Sequence, residues 1–335
     1  MTISGRAPET LADLLARWGV PPDADLAGAE RGTNNQTFAV ARGGRRWALR
    51  ISENLSVTQV RAEHRLLGRL GRAGLPFRVP EPVPALDGET VVPTPAGPAT
   101  LCRWIPGIRP DLTSELQLER FGRAIGTLSE ALRQVPARDA PHDWRGAPLQ
   151  IDDGLPGLED LCLELRAAGL SPEPAMLLKT AAQRVAAWWP GAASELPVQV
   201  VHGDPGASNT LVDEHTGEVT GLLDFEIAGA DFRVQDLVAG LLQSGALDGP
   251  QWQRRTAALV RGSFSVRRLD QAEIQALPEL LLCRSVGSVL WRARRWRRGH
   301  AQLTEVTARL SELDSTVRWL AAHAGQFRSL VTSSG

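Results

Sequence analysis

Three oxygen-bearing side chains stand at short intervals near the middle of the chain. The apolar pair Val200-Val201 leads into His202-Gly203-Asp204, Asn209 comes five residues after that aspartate, and Asp224 comes fifteen residues later. The residues between Asn209 and Asp224 predict a strand, a turn at 214–218 and a returning strand. Because such a hairpin brings its two ends together, we expect the three side chains to converge.

Convergent carboxylate and amide oxygens indicate a magnesium site beside a proton acceptor. Mg²⁺ usually takes only one or two ligands from the protein and completes its shell with water and substrate phosphates. Asn209 and Asp224 suit that role, which leaves Asp204 to accept a proton from an attacking hydroxyl. An aspartate, an asparagine five residues on and a second, metal-binding aspartate is the arrangement of kinase phosphoryl transfer. The pattern predicts an ATP-dependent phosphotransferase that uses Mg²⁺.

Two regions of different secondary structure surround this segment. Strands are predicted at 26–32, 37–42 and 46–52, with a hairpin turn at Gly43-Gly44, and a helix at 56–74 with Ser56 as its cap. After a Pro/Gly connector at 106–110, helices are predicted at 113–135 with Thr113 as the cap, and at 172–189, 232–245, 251–265, 271–298 and 302–324. We therefore expect an α+β protein, divided into an N-terminal lobe at 1–105 and a C-terminal lobe at 106–335.

The central segment resembles the Brenner-type motif of the aminoglycoside phosphotransferase and homoserine kinase-like superfamily. In that family His-Gly-Asp is followed by four residues, Asn, and then Ile/Leu-Asp-Phe or Ile-Asp-Trp. The matching positions are His202-Gly203-Asp204, Asn209 and Leu223-Asp224-Phe225, and "DFRVQDL" adds Asp236. The resemblance implies a bilobal protein-kinase-like fold, with a small β-rich N-lobe and a larger helical C-lobe. It also implies that His202 and Asp236 support the catalytic loop.

A kinase also needs backbone donors that cover the nucleotide phosphates. Residues 30–40 occupy the strand–turn–strand place of such a loop, but Gly32 is its only glycine, so a Gly-x-Gly-x-x-Gly pattern is absent. We expect the backbone N–H groups of Thr33, Asn34 and Asn35 to face phosphate. An ordinary hairpin turn explains this stretch equally well.

The phosphate-binding cation is expected at Arg50. Protein kinases carry a lysine on the third strand in a Val-Ala-Ile-Lys pattern, whereas this chain reads Trp47-Ala48-Leu49-Arg50, and its only lysine, Lys179, lies on a helix elsewhere. The resembling family accepts arginine or lysine here, and arginine is a competent phosphate ligand. Glu63, on the following helix, would pair with Arg50. The alternative for Glu63 is a solvated helix face.

The segment "TLCRWIPG" at 100–107 resembles the hinge of the same family. It places Arg103, Trp104 and Ile105 at the junction of the two lobes. The resemblance implies that backbone groups of Arg103 and Ile105 meet the adenine ring.

The acceptor is the least determined feature. A helix at 284–300 carries Arg292, Arg294, Arg295, Arg297 and Arg298. This charge disfavours a polycationic aminoglycoside and suits a carboxylate-bearing acceptor such as homoserine better. The C-terminal half, with "ALPELLLCRSVGSVLWRARR", resembles homoserine kinase-like members, and this resemblance favours homoserine over choline, ethanolamine or an antibiotic. A solvated helix face explains the arginines more simply, and the sequence alone leaves open whether they touch substrate.

Composition excludes several other classes. The net charge of −1 provides no field for nucleic acid or an anionic membrane, and 43% hydrophobic residues are ordinary for a soluble protein. Cys102, Cys162 and Cys283 are far apart, which argues against a disulfide framework or a zinc site. No signal peptide and no run of 18 apolar residues is apparent. We expect a cytoplasmic enzyme with a small-molecule partner.

Two further alternatives remain from the sequence. A catalytically inactive nucleotide-binding protein is suggested by the missing glycines and lysine, but the presence of Asp204, Asn209 and Asp224 counts against it. A protein kinase is disfavoured, because about seven residues separate Asp224 from the next predicted helix, too few for an activation segment.

Overall fold

A five-stranded antiparallel sheet forms the N-terminal part of the protein. The computed structural model describes residues 10–31, 35–144 and 156–334. The strands are β1 (Asp25–Arg31), β2 (Asn35–Arg42), β3 (Arg45–Ser52), β4 (Val92–Thr94) and β5 (Gly97–Arg103). They lie in the order β1-β2-β3-β5-β4, so that β3 is the central strand. The three strands predicted from the sequence are present, each beginning one or two residues earlier than expected.

The turn between β2 and β3 is formed by Gly43 and Gly44, as predicted. Their φ angles of 55° and 75° lie in the left-handed region, which glycine enters without steric cost. The register that follows places Arg50 opposite Thr37 on β2 and opposite Thr100 on β5. The predicted phosphate-binding arginine therefore lies in the middle of the sheet.

Helix α2 (Val57–Leu70) follows β3. Ser56 caps it: its hydroxyl accepts a hydrogen bond from the Gln59 N–H, while the Gln59 side chain accepts one from the Ser56 N–H. The helix ends at Leu70, with Gly71 as its C-cap, four residues before the predicted end. Glu63 lies on its buried face.

The C-terminal part is mainly helical. Its helices are α3 (Glu115–Leu132), α4 (Pro156–Ala167), α5 (Pro172–Glu195), α6 (Gln235–Gln243), α7 (Trp252–Phe264), α8 (Gln271–Arg297) and α9 (Leu303–Ser333). They enclose one hydrophobic core, in which Leu277, Leu281 and Val286 of α8 are fully buried. The predicted cap at Thr113 is wrong. Ser114 caps α3, because Thr113 is drawn into a turn with Asp111, to which its hydroxyl donates at 2.6 Å.

In the part of the chain that the structure describes, five short strands lie between these helices. They are β6 (His142–Asp143), β7 (Val198–Val201), β8 (Thr210–Val212), β9 (Val219–Leu222) and β10 (Gly229–Phe232). The predicted hairpin is formed by β8 and β9. Both of its outer edges are hydrogen-bonded: Ile108 exchanges two bonds of 2.9 Å with Val212 of β8, and the Arg78 carbonyl accepts one of 3.0 Å from Leu222 of β9. The hairpin is thus hydrogen-bonded on its β8 side to the connector, at Ile108, and on its β9 side to the N-terminal part, at Arg78.

Two helices are present where none was predicted. The short helix α1 (Leu11–Ala16) begins at a capping box formed by Thr10 and Asp13. With six residues it spans less than two turns, too few to produce a helical period in the sequence. Helix α4 is the other. Among the described residues, none of the helices has the length and apolar character needed to cross a membrane.

Helices α3 and α7 approach closely because glycines lie between them. A Cβ atom added at Gly262 of α7 would lie 1.9 Å from the carbonyl oxygen of Glu119 on α3, and one at Gly122 would lie 2.0 Å from that of Leu259. The obstacles are backbone atoms, which cannot move without separating the helices. These two glycines are therefore required by the packing of the C-terminal core.

We expect Gly262→Ala to lower the free energy of unfolding by about 1–3 kcal/mol, because the added methyl group overpacks this contact. Gly191→Ala on α5 is the matched control, since a Cβ there meets nothing within 4 Å. That change should raise stability by up to about 1 kcal/mol through helix propensity. Urea denaturation of both variants measures the difference, and equal effects would disprove the close packing.

Candidate active site

Asp204 lies in a loop after β7 whose backbone is held by Asp236. The carboxylate of Asp236 accepts hydrogen bonds from the N–H groups of His202 at 3.0 Å and Gly203 at 2.8 Å. Gly203 has a φ of 86°, which favours glycine at this sharp turn. Burial raises the pKa of Asp236, and these bonds oppose that effect. Asp236 thus fixes the backbone before Asp204, and its role as a support of a catalytic loop stays a prediction.

His202 joins the Asp204 loop to the segment that carries Asp224. Its Nδ1 accepts from the Asp204 N–H at 3.1 Å, so Nε2 carries the proton and donates to the Leu223 carbonyl at 2.9 Å. The ring is fully buried, and burial lowers the pKa of His202, which keeps it neutral. His202 therefore links the two segments as a buried, neutral ring, and its role as a support of the catalytic loop stays a prediction.

Asn209 is bound directly to Asp204. Its Nδ2 donates to the Asp204 carbonyl at 2.9 Å and to Asp204 Oδ2 at 3.1 Å. The Asn209 carbonyl accepts from the Leu223 N–H at 2.7 Å, which places Asn209 beside the residue before Asp224. The three predicted side chains are thus brought together by the β8–β9 hairpin.

Asp224 is held in an unusual backbone conformation directly after this hairpin. With φ of 64°, it is the one non-glycine residue of positive φ in the described ranges. Such a conformation costs roughly 1 kcal/mol or more and is commonest at functional sites. Burial, together with the neighbouring carboxylate of Glu226, raises the pKa of Asp224 to about 7. The fold thus maintains a carboxylate here against both backbone strain and desolvation.

The residues present fit a magnesium ion. Asp224 Oδ1 is buried and has no hydrogen-bond partner within the described residues, its nearest cation being Arg50 Nη1 at 3.8 Å. The Nδ2 group of Asn209 is engaged with Asp204, so Oδ1 is the ligand atom that this amide can offer. Hard oxygen donors of this kind, limited to one or two from the protein, are what Mg²⁺ takes in phosphoryl-transfer sites.

Arg50 and Glu63 form a buried ion pair. Arg50 Nη2 lies 2.5 Å from Glu63 Oε2, and the two side chains are 16% and 2% exposed. The solvated alternative for Glu63 is therefore wrong. Since Arg50 also faces Asp224, the pair connects α2 and the central strand of the sheet to the segment that carries Asp224.

We expect Glu63→Gln to lower the free energy of unfolding by about 3 kcal/mol and to raise KM for ATP. The change leaves the Arg50 guanidinium without its main counter-charge, and breaking a buried ion pair from one side is costly. Glu89→Gln breaks an ion pair of 2.7 Å with Arg61, in which both partners are about half exposed, and should cost less than about 1 kcal/mol. Similar losses in the two variants would contradict the structural importance of the Arg50–Glu63 pair.

The predicted nucleotide-covering loop is described only from Asn35 onward, because Gly32, Thr33 and Asn34 lie outside the described residues. Asn35 is buried, and its Nδ2 donates to Glu226 Oε2 at 2.7 Å. This bond was not predicted, because Glu226 follows 191 residues later. It ties the first residue of β2 to the segment that carries Asp224.

The predicted hinge lies at the end of β5. The Arg103 N–H donates to the Glu81 carbonyl at 2.9 Å, and the Trp104 N–H donates to the Arg46 carbonyl at 3.2 Å. The Arg46 guanidinium also lies 4.1 Å from the centre of the Trp104 ring. The Arg103 carbonyl and the backbone of Ile105 are therefore the groups that this segment can offer to adenine.

Two residues at the site were missed by sequence analysis. Arg284 of α8 donates to Asp204 Oδ1 at 2.7 Å, and Gln243, the last residue of α6, donates to the same atom at 2.5 Å. Each is a polar residue at the end of an apolar run, "LVAGLLQ" and "LPELLLCR". A polar side chain in such a place is the signal that could have identified them.

The arginine-rich part of α8 makes contacts within the protein. Arg292 lies 2.7 Å from Glu305, and Arg297 lies 2.6 Å from Glu164. Arg292 is buried, so the solvated alternative is wrong for this residue. Both ion pairs bind α8 to neighbouring helices, which gives these two arginines a structural role.

Comparison with known proteins identifies the family of the chain and related kinases. The profile of a family described as APH, phosphotransferase enzyme family, matches residues 25–271. A homoserine kinase of Cupriavidus taiwanensis is 27% identical over 301 residues, which cover 85% of each chain. The solved structure of a microcompartment-associated aminopropanol kinase has a TM-score of 0.71 at 20% identity and covers 93% of this chain and 97% of that one. An amicoumacin kinase in complex with AMP-PNP and Ca²⁺ has a TM-score of 0.64 at 16% identity, with coverage of 89% and 88%.

These structural neighbours share the predicted bilobal, protein-kinase-like α+β fold. The match of the family profile covers most of the chain and includes the whole Asp204–Asp224 segment. The chain therefore belongs to the phosphotransferase enzyme family and is a small-molecule kinase.

Proposed function

We propose that this kinase transfers the γ-phosphoryl group of ATP to the hydroxyl group of a small molecule, with homoserine as the favoured acceptor. The observation that carries the proposal is the joint placement of Asp204, Asn209 and Asp224 at the end of one hairpin, with Arg50 beside Asp224. This is the set of groups that phosphoryl transfer requires on both sides of the reacting phosphorus.

In this proposal the acceptor oxygen forms a bond to the γ-phosphorus while the bond to the β,γ-bridging oxygen breaks. Asp204 receives the proton of the acceptor hydroxyl. Arg50, fixed by Glu63 at 2.5 Å, binds the α- and β-phosphates of the departing ADP. Asn209 and Asp224 would hold Mg²⁺, which when bound would neutralise charge on the phosphate oxygens.

Homoserine is favoured because the homoserine kinase relative is matched over 85% of both chains. The name of the aminopropanol kinase neighbour suggests a second candidate, an amino alcohol that lacks a carboxylate. The cytoplasmic location expected from the sequence stays a prediction.

A panel of acceptors tests the proposal. ADP release from Mg-ATP is measured with homoserine, 1-amino-2-propanol, choline, ethanolamine, an aminoglycoside and a macrolide, and the phosphorylated product is verified by mass spectrometry. We expect homoserine to have the highest kcat/KM, with Asp204→Asn as the inactive reference. A higher kcat/KM for another acceptor would overturn homoserine as the substrate but would still support a small-molecule phosphotransferase.

Binding measured beside the panel separates two ways in which the proposal can fail. Titration of the protein with Mg-ATP reports on the nucleotide site alone. Tight binding without transfer to any acceptor would support the catalytically inactive alternative. Absence of both binding and transfer would overturn the nucleotide roles of Arg50, Asn209 and Asp224.

A further inference from the structure

Two helices place one hydrogen-bond donor each on the same oxygen of Asp204. Gln243 Nε2 lies 2.5 Å from Asp204 Oδ1, and Arg284 Nη2 lies 2.7 Å from it. Arg284 Nη1 also donates to the Gly203 carbonyl at 2.7 Å. The guanidinium thus binds the backbone before Asp204 and its side chain at once, which defines both the position and the rotation of the carboxylate.

Counting acceptor positions on this carboxylate identifies the atom that remains for substrate. An ionised carboxylate offers about four lone-pair positions, two on each oxygen. Oδ1 already accepts from Gln243 and Arg284, while Oδ2 accepts from Asn209 Nδ2 at 3.1 Å. One position on Oδ2 remains for the proton of an acceptor hydroxyl.

The backbone at Gly206 indicates that the loop is shaped to receive Gln243. Gly206 has a φ of −85°, which any residue adopts, so its conformation does not require glycine. A Cβ there would lie 1.8 Å from Gln243 Oε1 and 2.9 Å from its Cδ. Glycine at 206 is therefore explained by the space that the Gln243 side chain occupies on its way to Asp204.

We propose that Arg284 and Gln243 are positioning residues that fix the Asp204 carboxylate so that Oδ2 receives the acceptor proton. The inference rests on the proposed function, since it assumes that Asp204 accepts that proton. Neither residue contacts the predicted nucleotide ligands Arg50, Asn209 or Asp224 through any hydrogen bond found in the described ranges. Their loss should therefore act on turnover and not on ATP binding.

The first test compares Arg284→Met with Arg297→Met. Both arginines lie on α8, both form an ion pair with a carboxylate, and their side chains are 24% and 29% exposed. We expect Arg284→Met to lower kcat by about 10²-fold with KM for ATP nearly unchanged, since a small misplacement of a catalytic group has an effect of this size. Arg297→Met should leave kcat within about twofold of wild type.

Two further measurements distinguish a positioning role of Arg284 from an effect on protein stability and from a role in substrate binding. Arg284→Lys should recover part of kcat, because a cation still reaches Asp204, and guanidinium ion at non-denaturing concentration should partly restore Arg284→Ala. A selective rise in KM for homoserine over 1-amino-2-propanol, with kcat unchanged, would assign Arg284 to the acceptor carboxylate and overturn the proposal. Equal loss of kcat in Arg284→Met and Arg297→Met would overturn it as well.

A double-mutant cycle tests the Gln243 contact even without turnover. Gly206→Ala should lower the melting temperature in wild type but have little effect in the Gln243→Ala background, where the obstructing side chain is gone. Additive shifts would disprove the contact. If wild type transfers to no acceptor, the proposed function fails, and this cycle still reports separately on whether Gln243 occupies the space beside Gly206.

Discussion

Replacing Asp204 with asparagine should lower kcat by about 10³-fold, within the range expected for loss of a general base. The amide cannot accept the hydroxyl proton. It also places an NH₂ group either where Oδ1 now accepts from Gln243 and Arg284 or where Oδ2 accepts from Asn209, so the orientation of the side chain is lost together with its basicity. Mg-ATP affinity should stay close to that of wild type, because Asp204 is not among the predicted metal ligands.

Initial rates with the best acceptor, and calorimetric titration with Mg-ATP, measure the two quantities independently. Asp213→Asn is the matched control, with the same chemical change nine residues away. Asp213 Oδ1 accepts from the N–H groups of His215 and Thr216 in an exposed turn, and an asparagine oxygen can accept the same bonds. Loss of nucleotide binding in Asp204→Asn would contradict its assignment as the proton acceptor.

Replacing Asp224 with asparagine should remove the effect of Mg²⁺ on ATP binding and lower kcat at least as much as Asp204→Asn does. A neutral amide is a weaker ligand for a hard cation than a carboxylate. The same change should raise the melting temperature in EDTA at pH 8. It removes a negative charge beside the carboxylate of Glu226, and asparagine tolerates positive φ at least as well as aspartate.

The sign of the stability change follows from the raised pKa of Asp224. The unfolded carboxyl loses its proton near pH 4, whereas the folded one keeps it until about pH 7, so the metal-free wild type loses stability as the pH rises through this interval. The Asp224→Asn variant has no carboxyl group at this position, so it does not lose this part of its stability as the pH rises. Melting curves at pH 5 and pH 8 in EDTA should therefore differ less in the variant than in wild type. A melting temperature at pH 8 below that of wild type would contradict the description of Asp224 as a strained, desolvated ligand.

Local signals in the sequence were sufficient for much of the fold and for the reacting end of the site. Gly43-Gly44 and Ser56 each act within a few residues, so their turn and cap could be predicted from neighbours alone. Asn209 and Asp224 flank one hairpin, which brings its ends together whatever the rest of the chain does, and Asp204 lies only five residues before Asn209, to which it is hydrogen-bonded. The cap of α3 was misassigned by one residue, because Thr113 and Ser114 are both good caps and only the turn at Asp111 separates them.

The parts that could not be predicted depend on contacts between distant segments. Gln243 and Arg284 reach Asp204 from 39 and 80 residues away, and Asn35 reaches Glu226 from 191. Such contacts depend on how the helices pack against one another, and the spacing of apolar residues along the sequence does not determine that packing. The burial of Glu63 was undetermined for the same reason, since only the sheet beneath α2 decides which face of that helix is covered.

The hydrogen bonds that Arg78 and Ile108 make to the two edges of the β8–β9 hairpin have a consequence for how the two lobes fold. A two-stranded hairpin alone is marginally stable, and its open edges invite pairing with other chains. A fragment that began at the predicted boundary, residue 106, would keep Ile108 on one edge and lose Arg78 from the other. We therefore expect the C-terminal part, produced alone, to expose the β9 edge of the hairpin close to Asp224 and to be less stable than in the full chain.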